Sequence, residues 1–311
     1  MTAVTSRAGA AAVALVRRRR RQFRVRRWLG LAYATPTAVI VIGVFLVPVG
    51  LVVWMSMNDW PILGEPTVNA PDNYRNIADN DLFKTAVWFT IKYTVIMTIV
   101  LFGVAMGLAL LVQNRRRGVG FFRTAFFLPS VVGFATASLL FLGLLSSEIG
   151  PLDPLLTKIG AISHPVAWTS ESPTTALTSI VVLVTWRFAG FNMLILLTGL
   201  QQIPLDLYEA ARVDGATPWQ SFRAITLPLM RPTIALVLIM MITGSLLAFD
   251  QFWIMTRGGP DNSTTSIVLV IVHEAFTSFD LGGAAAISVL VLVALVVVNT
   301  VQLTILRRST R

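Results

Sequence analysis

Two ionisable side chains interrupt otherwise apolar stretches and are the first candidates for chemistry. Arg187 lies in VTWRFAGFNM and Asp250 in GSLLAFDQFWIMT. Aromatic residues flank both: Trp186, Phe188 and Phe191 beside the first, Phe249, Phe252 and Trp253 beside the second. Aromatic walls with a few hydrogen-bonding groups make a small-molecule site, and they suit a pyranose, which presents C–H faces rimmed by hydroxyls. Charges far from an aqueous interface are expensive and mark a pathway or a pair. The two residues therefore line a cavity, or neutralise one another across two helices, and these roles are compatible. Lys92 is a third such charge, but it stands near the outer end of its segment, where a lysine snorkels to the surface.

Other chemistries lack their residues. Cysteine is absent, so there is no disulfide, thiolate or iron–sulfur site. His164 and His273 are far apart and outside any HExxH spacing, so no metal site is expected. A phosphate-cradling loop needs Gly-Lys-Ser/Thr, and none of Lys84, Lys92 and Lys158 follows a glycine. Any dependence on ATP must come from a partner. No paired carboxylates or nucleophile–base arrangement can be assembled, and no catalytic residue is assigned.

The elements that must position Arg187 and Asp250 are membrane spans. The 311 residues are 55% apolar and 13% charged, with a mean hydropathy of +0.74, whereas soluble domains carry about 25% charged residues. A soluble enzyme is excluded. A helix of about 20 apolar residues crosses a bilayer, and six stretches qualify: roughly 29–57, 84–112, 121–147, 174–202, 233–256 and 281–306. The chain reads as all-α and polytopic, with a basic tail 1–28, a membrane domain 29–306 and a short tail 307–311. The first stretch exceeds the 7–15 residues of a signal-peptide core, so it is expected to be a retained anchor.

Charge sets the orientation. Nine arginines precede Trp28, and Arg115, Arg116, Arg117, Arg123, Arg212, Arg223, Arg231, Arg307, Arg308 and Arg311 fall on the same side of the six spans. The other side holds only Arg75, Lys84, Lys158 and Arg257. Basic residues mark cytoplasmic segments, so both termini are expected in the cytoplasm. The net charge of +10 is thus a topology signal and an attraction to anionic lipid, with no basic stripe for nucleic acid. The outer loop 58–83 is rich in Pro, Asn and Asp and reads as irregular with a short helix; the outer loop 148–173 is similar.

The inner loop 203–232 is different. Prolines 204 and 228 bracket a helical stretch from Leu205 to Val213, a glycine at 215, and a second helical stretch from Trp219 to Ile225. Within it Glu209, Ala210, Ala211, Asp214, Gly215, Ala216, Phe222, Ile225, Leu227, Pro228 and Pro232 spell EAAxxDGAxxxxxFxxIxLPxxxP. This pattern resembles the EAA loop of bacterial ABC importer membrane subunits. LLTGLQQIPLDLYEAA before the loop and WIMTRGGPDNSTTSIVLVIVHEAF after it look like the MalF/UgpA-type permeases of carbohydrate importers. Asn73-Tyr74, and Arg123 with Phe126 to Ser130, fit the same pattern. The likeness extends over essentially everything after Trp28, without the extra N-terminal spans and large outer domain of the maltose member.

The resemblance implies the type I ABC importer permease (MetI-like) fold and a role as half of the translocation pathway for a sugar. It implies a second permease, a dimer of ATP-binding subunits that alone hold ATP and magnesium, and an external solute-binding lipoprotein. No cofactor is expected in this chain. Glu209, Ala210, Ala211, Asp214 and Gly215 would form the knob that docks on the motor. Counting from Leu200-Gln201-Gln202-Ile203-Pro204, the sugar-contacting positions of the maltose member fall around Thr185, Arg187, Phe188, Ser245, Phe249, Asp250 and Gln251. Arg187 and Asp250 stand where that member has neutral residues, so a different sugar, a charged or amino sugar, or glycerol-3-phosphate or a related phosphorylated polyol facing Arg187, stays open. An ion-coupled secondary transporter using this pair is the more distant alternative, since it has no need of an EAA loop.

Overall fold

The computed structural model describes residues 33–114 and 117–309, with side chains to 305. The basic tail 1–28, Arg115, Arg116 and Arg311 lie outside the described residues. The chain divides into two units, one ending at Met55 and one beginning at Ser56.

The described residues of the first unit form one helix, α1 (Tyr33–Met55). Its 23 residues rise about 35 Å at 1.5 Å each, enough to cross a bilayer core. A five-residue π turn, Ile42–Leu46, ends just before Val47-Pro48. Proline has no N–H to donate and crowds the carbonyl four residues earlier. The wider π turn, closed by Val47 N–H on the Ile42 carbonyl, accommodates the ring without ending the helix.

The second unit begins with a two-stranded ribbon, β1 (Asn58–Asp59) against β2 (Thr67–Val68). Helices α2 (Asp72–Asp79), α3 (Asp81–Leu111), α4 (Val119–Phe127), α5 (Phe134–Leu144), α6 (Leu152–Lys158) and α7 (Pro173–Gln201) follow. Then come α8 (Leu205–Val213), α9 (Pro218–Leu229), α10 (Arg231–Leu246), α11 (Asp250–Met255), α12 (Ile267–Phe276) and α13 (Leu281–Ser309). The last helix runs three residues beyond the predicted span, through the start of the predicted tail 307–311.

Helices α3 and α7 pack together as the centre of the unit. On α3 the buried residues Phe89, Tyr93, Met97, Leu101, Ala105 and Ala109 recur every fourth position, which is one ridge of the helix surface. They meet Ile180, Leu183, Met193 and Leu196 of α7 in one core. Trp88, Val95 and Ile99, on the other face of α3, are exposed and suit contact with lipid. Both helices start with side-chain caps: Asn80 accepts from Phe83 N–H, and Ser172 and Thr175 form a capping box ahead of α7. At the far end of α3, Arg123 donates to the Val112 carbonyl through Nε (3.2 Å) and a terminal nitrogen (2.6 Å).

Three of the five predicted spans in this unit are unbroken: α3, α7 and α13. The third predicted span, 121–147, is a bent pair: α4, extended by a 3-10 turn to Val131, meets α5 at 95°. Pro129 and Gly133 flank the bend, and Val132 is extended between them. The fifth, 233–256, is two helices, since α10 stops at Leu246 and α11 starts at Asp250. With the bent pairs α4–α5 and α9–α10 each taken as one span, the described residues hold six, α1 included.

The outer loops are pinned by polar side chains. Asn73 Nδ2 donates to the Ser56 and Asn58 carbonyls (3.1 and 3.0 Å), and Tyr74 hydroxyl pairs with Ser56 Oγ at 2.8 Å. Gly282 of α13 lies under this knot, where any Cβ would meet the Asn58 carbonyl oxygen. In the other loop, buried Asp153 accepts from Val166 N–H (2.9 Å) and Trp168 Nε1 (2.6 Å).

Candidate functional site

A cavity of ≈ 390 Å³ opens between α3, α7, α10 and α11, bordered also by Phe134 of α5. Phe188, Ser245, Phe249, Asp250 and Gln251, all singled out from the sequence, line it. Thr185 and Arg187 do not. Thr185 carries a buried hydroxyl without a hydrogen-bond partner, away from the cavity wall. Phe191, noted beside Arg187 in the sequence, also lines the cavity, and so do Tyr93, Phe134 and Asn192, which were missed. Asn192 had a signal, standing four residues after Phe188 and so on the same helix face. Tyr93 had none, because nothing in the sequence distinguishes its face of α3 from the opposite one.

Arg187 sits behind the wall. Its Nε donates to the Val132 carbonyl at 3.0 Å, and its own carbonyl accepts from Ser130 Oγ at 2.8 Å. Its guanidinium carbon is 4.9 Å from the ring centre of Phe134 and 4.4 Å from that of Phe188, cation–π distances. Those two rings meet edge to face at 5.6 Å. Arg187 and Asp250 form no ion pair within 4.0 Å, unlike Arg75–Asp72 and Lys84–Asp81. The arginine thus braces the α4–α5 bend, satisfying a carbonyl that the broken helix cannot use, as non-helical backbone at membrane depth requires.

The second break is built the same way. Ser266 Oγ donates to the Ala248 carbonyl at 2.8 Å and accepts from Leu269 N–H at 3.2 Å, capping α12 as it does so. Ile267 N–H donates to Thr90 Oγ1 of α3 at 3.0 Å. These bonds hold the segment that presents Phe249, Asp250 and Gln251. Upstream, the Gly258-Gly259-Pro260 turn is tied by Thr264, whose Oγ1 donates to the Gly259 carbonyl at 2.7 Å and pairs with Thr256 Oγ1 at 2.8 Å. Gly258 has φ 85°, and a Cβ there would fall 2.5 Å from Thr265 Oγ1.

Within the cavity Gln251 is 2% exposed. Its Nε2 donates to Tyr93 hydroxyl at 3.1 Å, while its Oε1 has no partner. Phe249 stacks on Trp253 at 5.9 Å. Among the described residues no cluster of His, Asp and Glu could hold a metal.

The inner loop folds as its sequence predicts. Helix α8 spans the expected Leu205–Val213, Gly215 takes φ 77°, and the second helix is longer than expected, Pro218–Leu229. The turn is closed by Gly215 N–H on the Arg212 carbonyl (3.1 Å) and Ala216 N–H on the Ala211 carbonyl (2.9 Å). Thr217 and Gln220 box the start of α9, and Tyr208 hydroxyl meets Thr226 Oγ1 at 2.8 Å to join the two helices. A π turn, Phe222–Thr226, again precedes the Leu227-Pro228 pair, after which α9 meets α10 at 72°. Glu209, Ala210, Asp214 and Gly215 are exposed and Ala211 half-buried, and Leu205, Val213 and Trp219 present apolar surface around them.

Residues 99–311 match the family described as the binding-protein-dependent transport system inner membrane component. The chain belongs to that family. Such a permease is a membrane component and not itself a catalytic subunit. Over 278 residues it is 29% identical to the probable starch degradation products transport system permease AmyD of Thermoanaerobacterium thermosulfurigenes, covering 88% of this chain and 91% of that one. It is 30% identical over 281 residues to the sn-glycerol-3-phosphate transport system permease UgpA of Escherichia coli, covering 89% and 93%. Its fold is that of an ABC importer permease. A chain of the bacterial ABC transporter for the acidic polysaccharide alginate superposes with a TM-score of 0.81 at 24% identity, covering 94% of this permease and all of the other.

Proposed function

We propose that this permease forms half of the translocation pathway of an ATP-driven importer for a di- or oligosaccharide. The observation that carries the reading is the exposed knob of α8, Gly215 and α9, in a chain of this family whose cavity is built from the helices on either side of it. Glu209 to Ala211, Asp214 and Gly215 dock on an ATP-binding subunit that holds ATP and magnesium. Leu227-Pro228 passes the motion into α10, whose end carries Ser245. Closure of the motor then tips the cavity outward, and hydrolysis returns it, as in alternating access. A second permease supplies the other half, an external binding protein delivers the sugar, and both termini lie in the cytoplasm. Phe188 and Phe249 stack on the sugar, while Ser245, Asp250 and Gln251 bond its hydroxyls.

The test is reconstitution of this chain with the second permease, ATPase and binding protein encoded beside it. ATP-dependent accumulation of a labelled saccharide inside the vesicles is expected. Uptake that survives removal of the ATPase and collapses with an uncoupler would establish an ion-coupled transporter instead.

A further inference from the structure

The charge of the cavity narrows its ligand further than the family does. Of the residues that line it, Asp250 alone is ionisable at neutral pH, and no lysine, arginine or histidine reaches it. Arg187 gives its Nε–H to the Val132 carbonyl, lies against Phe134 and Phe188, and is not among the lining residues. Each amide has given up one of its two N–H donors: Asn192 Nδ2 gives a hydrogen bond to the Phe188 carbonyl at 2.9 Å, and Gln251 Nε2 to Tyr93. Beside the neutral hydroxyls of Tyr93 and Ser245, the cavity offers two groups that only accept, the Asp250 carboxylate and the unpaired, buried Gln251 Oε1. Buried acceptors need donors, and sugar hydroxyls supply them. A phosphate or carboxylate brings only acceptors and a like charge, with no fork of N–H groups to receive it.

We infer that this cavity selects uncharged, polyhydroxylated ligands and rejects anionic ones, phosphorylated polyols and uronates included. The inference rests on the reading of the chain as a sugar permease. It separates this permease from the sn-glycerol-3-phosphate permease UgpA and the alginate transporter, to which it is otherwise similar.

The test uses the assembled transporter in nanodiscs without its binding protein, so that selection by that protein is bypassed. Saturation-transfer NMR with glucose, glucose 6-phosphate and glucuronate compares one ring with and without an anion. Glucose is expected to bind about tenfold more tightly than either anion, equivalent to about 1.4 kcal/mol. Asp250→Asn should shrink that ratio, and Gln251→Glu, which adds a second negative charge, should widen it. The second variant serves if the first does not assemble. Anions binding as well as glucose, no binding by any of the three, or a ratio indifferent to both variants would overturn the inference. ATP-driven uptake of an anionic sugar by the intact transporter would overturn it too while leaving the permease reading in place. Absence of ATP-driven uptake of any sugar would overturn that reading itself.

Discussion

An arginine inside an apolar helix needs a ligand, a counter-ion or an unsatisfied backbone group, and Arg187 has found the third. Its type and aromatic neighbours were visible in the sequence, but its partner, the carbonyl of a residue 55 positions away, was not. Removing the donor leaves that half-buried carbonyl unpaired, which costs about 1 kcal/mol, the low end for a fully buried group. Arg187→Met is therefore expected to lower the thermal midpoint of the purified complex. Because Arg187 and Asp250 are not a salt bridge, exchanging them (Arg187→Asp with Asp250→Arg) should rescue neither stability nor uptake. Recovery of uptake in the exchanged protein would show that pairing is what matters. Gly190 makes the complementary case on the same helix. A Cβ at this position would overlap the Phe126 carbonyl oxygen, whereas at Gly107 it would meet nothing within 4 Å. Gly190→Ala should cost at least the 1–3 kcal/mol typical of overpacking, read as lost assembly on size-exclusion chromatography, and Gly107→Ala should assemble normally.

The elements were legible in proportion to how much water they meet. Helix α8 was bounded to the residue, because at an aqueous surface proline, charge pattern and glycine mark helix ends. Long unbroken spans were placed within a few residues by hydropathy alone. The breaks at Val132 and at Leu247 to Phe249 were not seen, since their flanks are as apolar as any span and the bonds that make them tolerable come from Arg187 and Ser266 elsewhere in the chain. Helix α12 was missed because its ten residues, His273 and Glu274 among them, are too few to read as a span. The buried faces of α3 and α7 were hidden for a related reason: lipid-facing Trp88 and Ile99 are as apolar as core-facing Tyr93 and Met97. The coupling element carries its own prediction. Gly215 sits in the left-handed region, which costs other residues roughly 1–2 kcal/mol and which asparagine tolerates best. Gly215→Val should leave the permease inserted and assembled but uncouple uptake from hydrolysis in proteoliposomes, while Gly215→Asn should retain most uptake. Normal transport by the valine variant would remove the knob from the coupling path.

At the scale of the whole molecule, the distribution of charge orients everything else. On the side of the α8–α9 knob the described residues include Arg117, Arg123, Arg212, Arg223 and Arg231, against Arg75, Lys84, Lys158 and Arg257 among the outer loops. A bias of this kind retains basic loops in the cytoplasm, and the proposed motor requires that placement. The chain is free of cysteine, so a single introduced thiol reports its own side of the membrane without background. Leu63 in the outer loop is 90% exposed and Val213 at the end of α8 is 88% exposed, so each accepts cysteine and is open to reagent. Leu63→Cys should react with a membrane-impermeant maleimide in spheroplasts. Val213→Cys should react only in inside-out vesicles washed with urea to strip bound ATPase. The reverse pattern would turn the knob away from the nucleotide pool, and the coupling role of Glu209 to Gly215 could not stand, because a motor that burns cytoplasmic ATP has to meet them on that face.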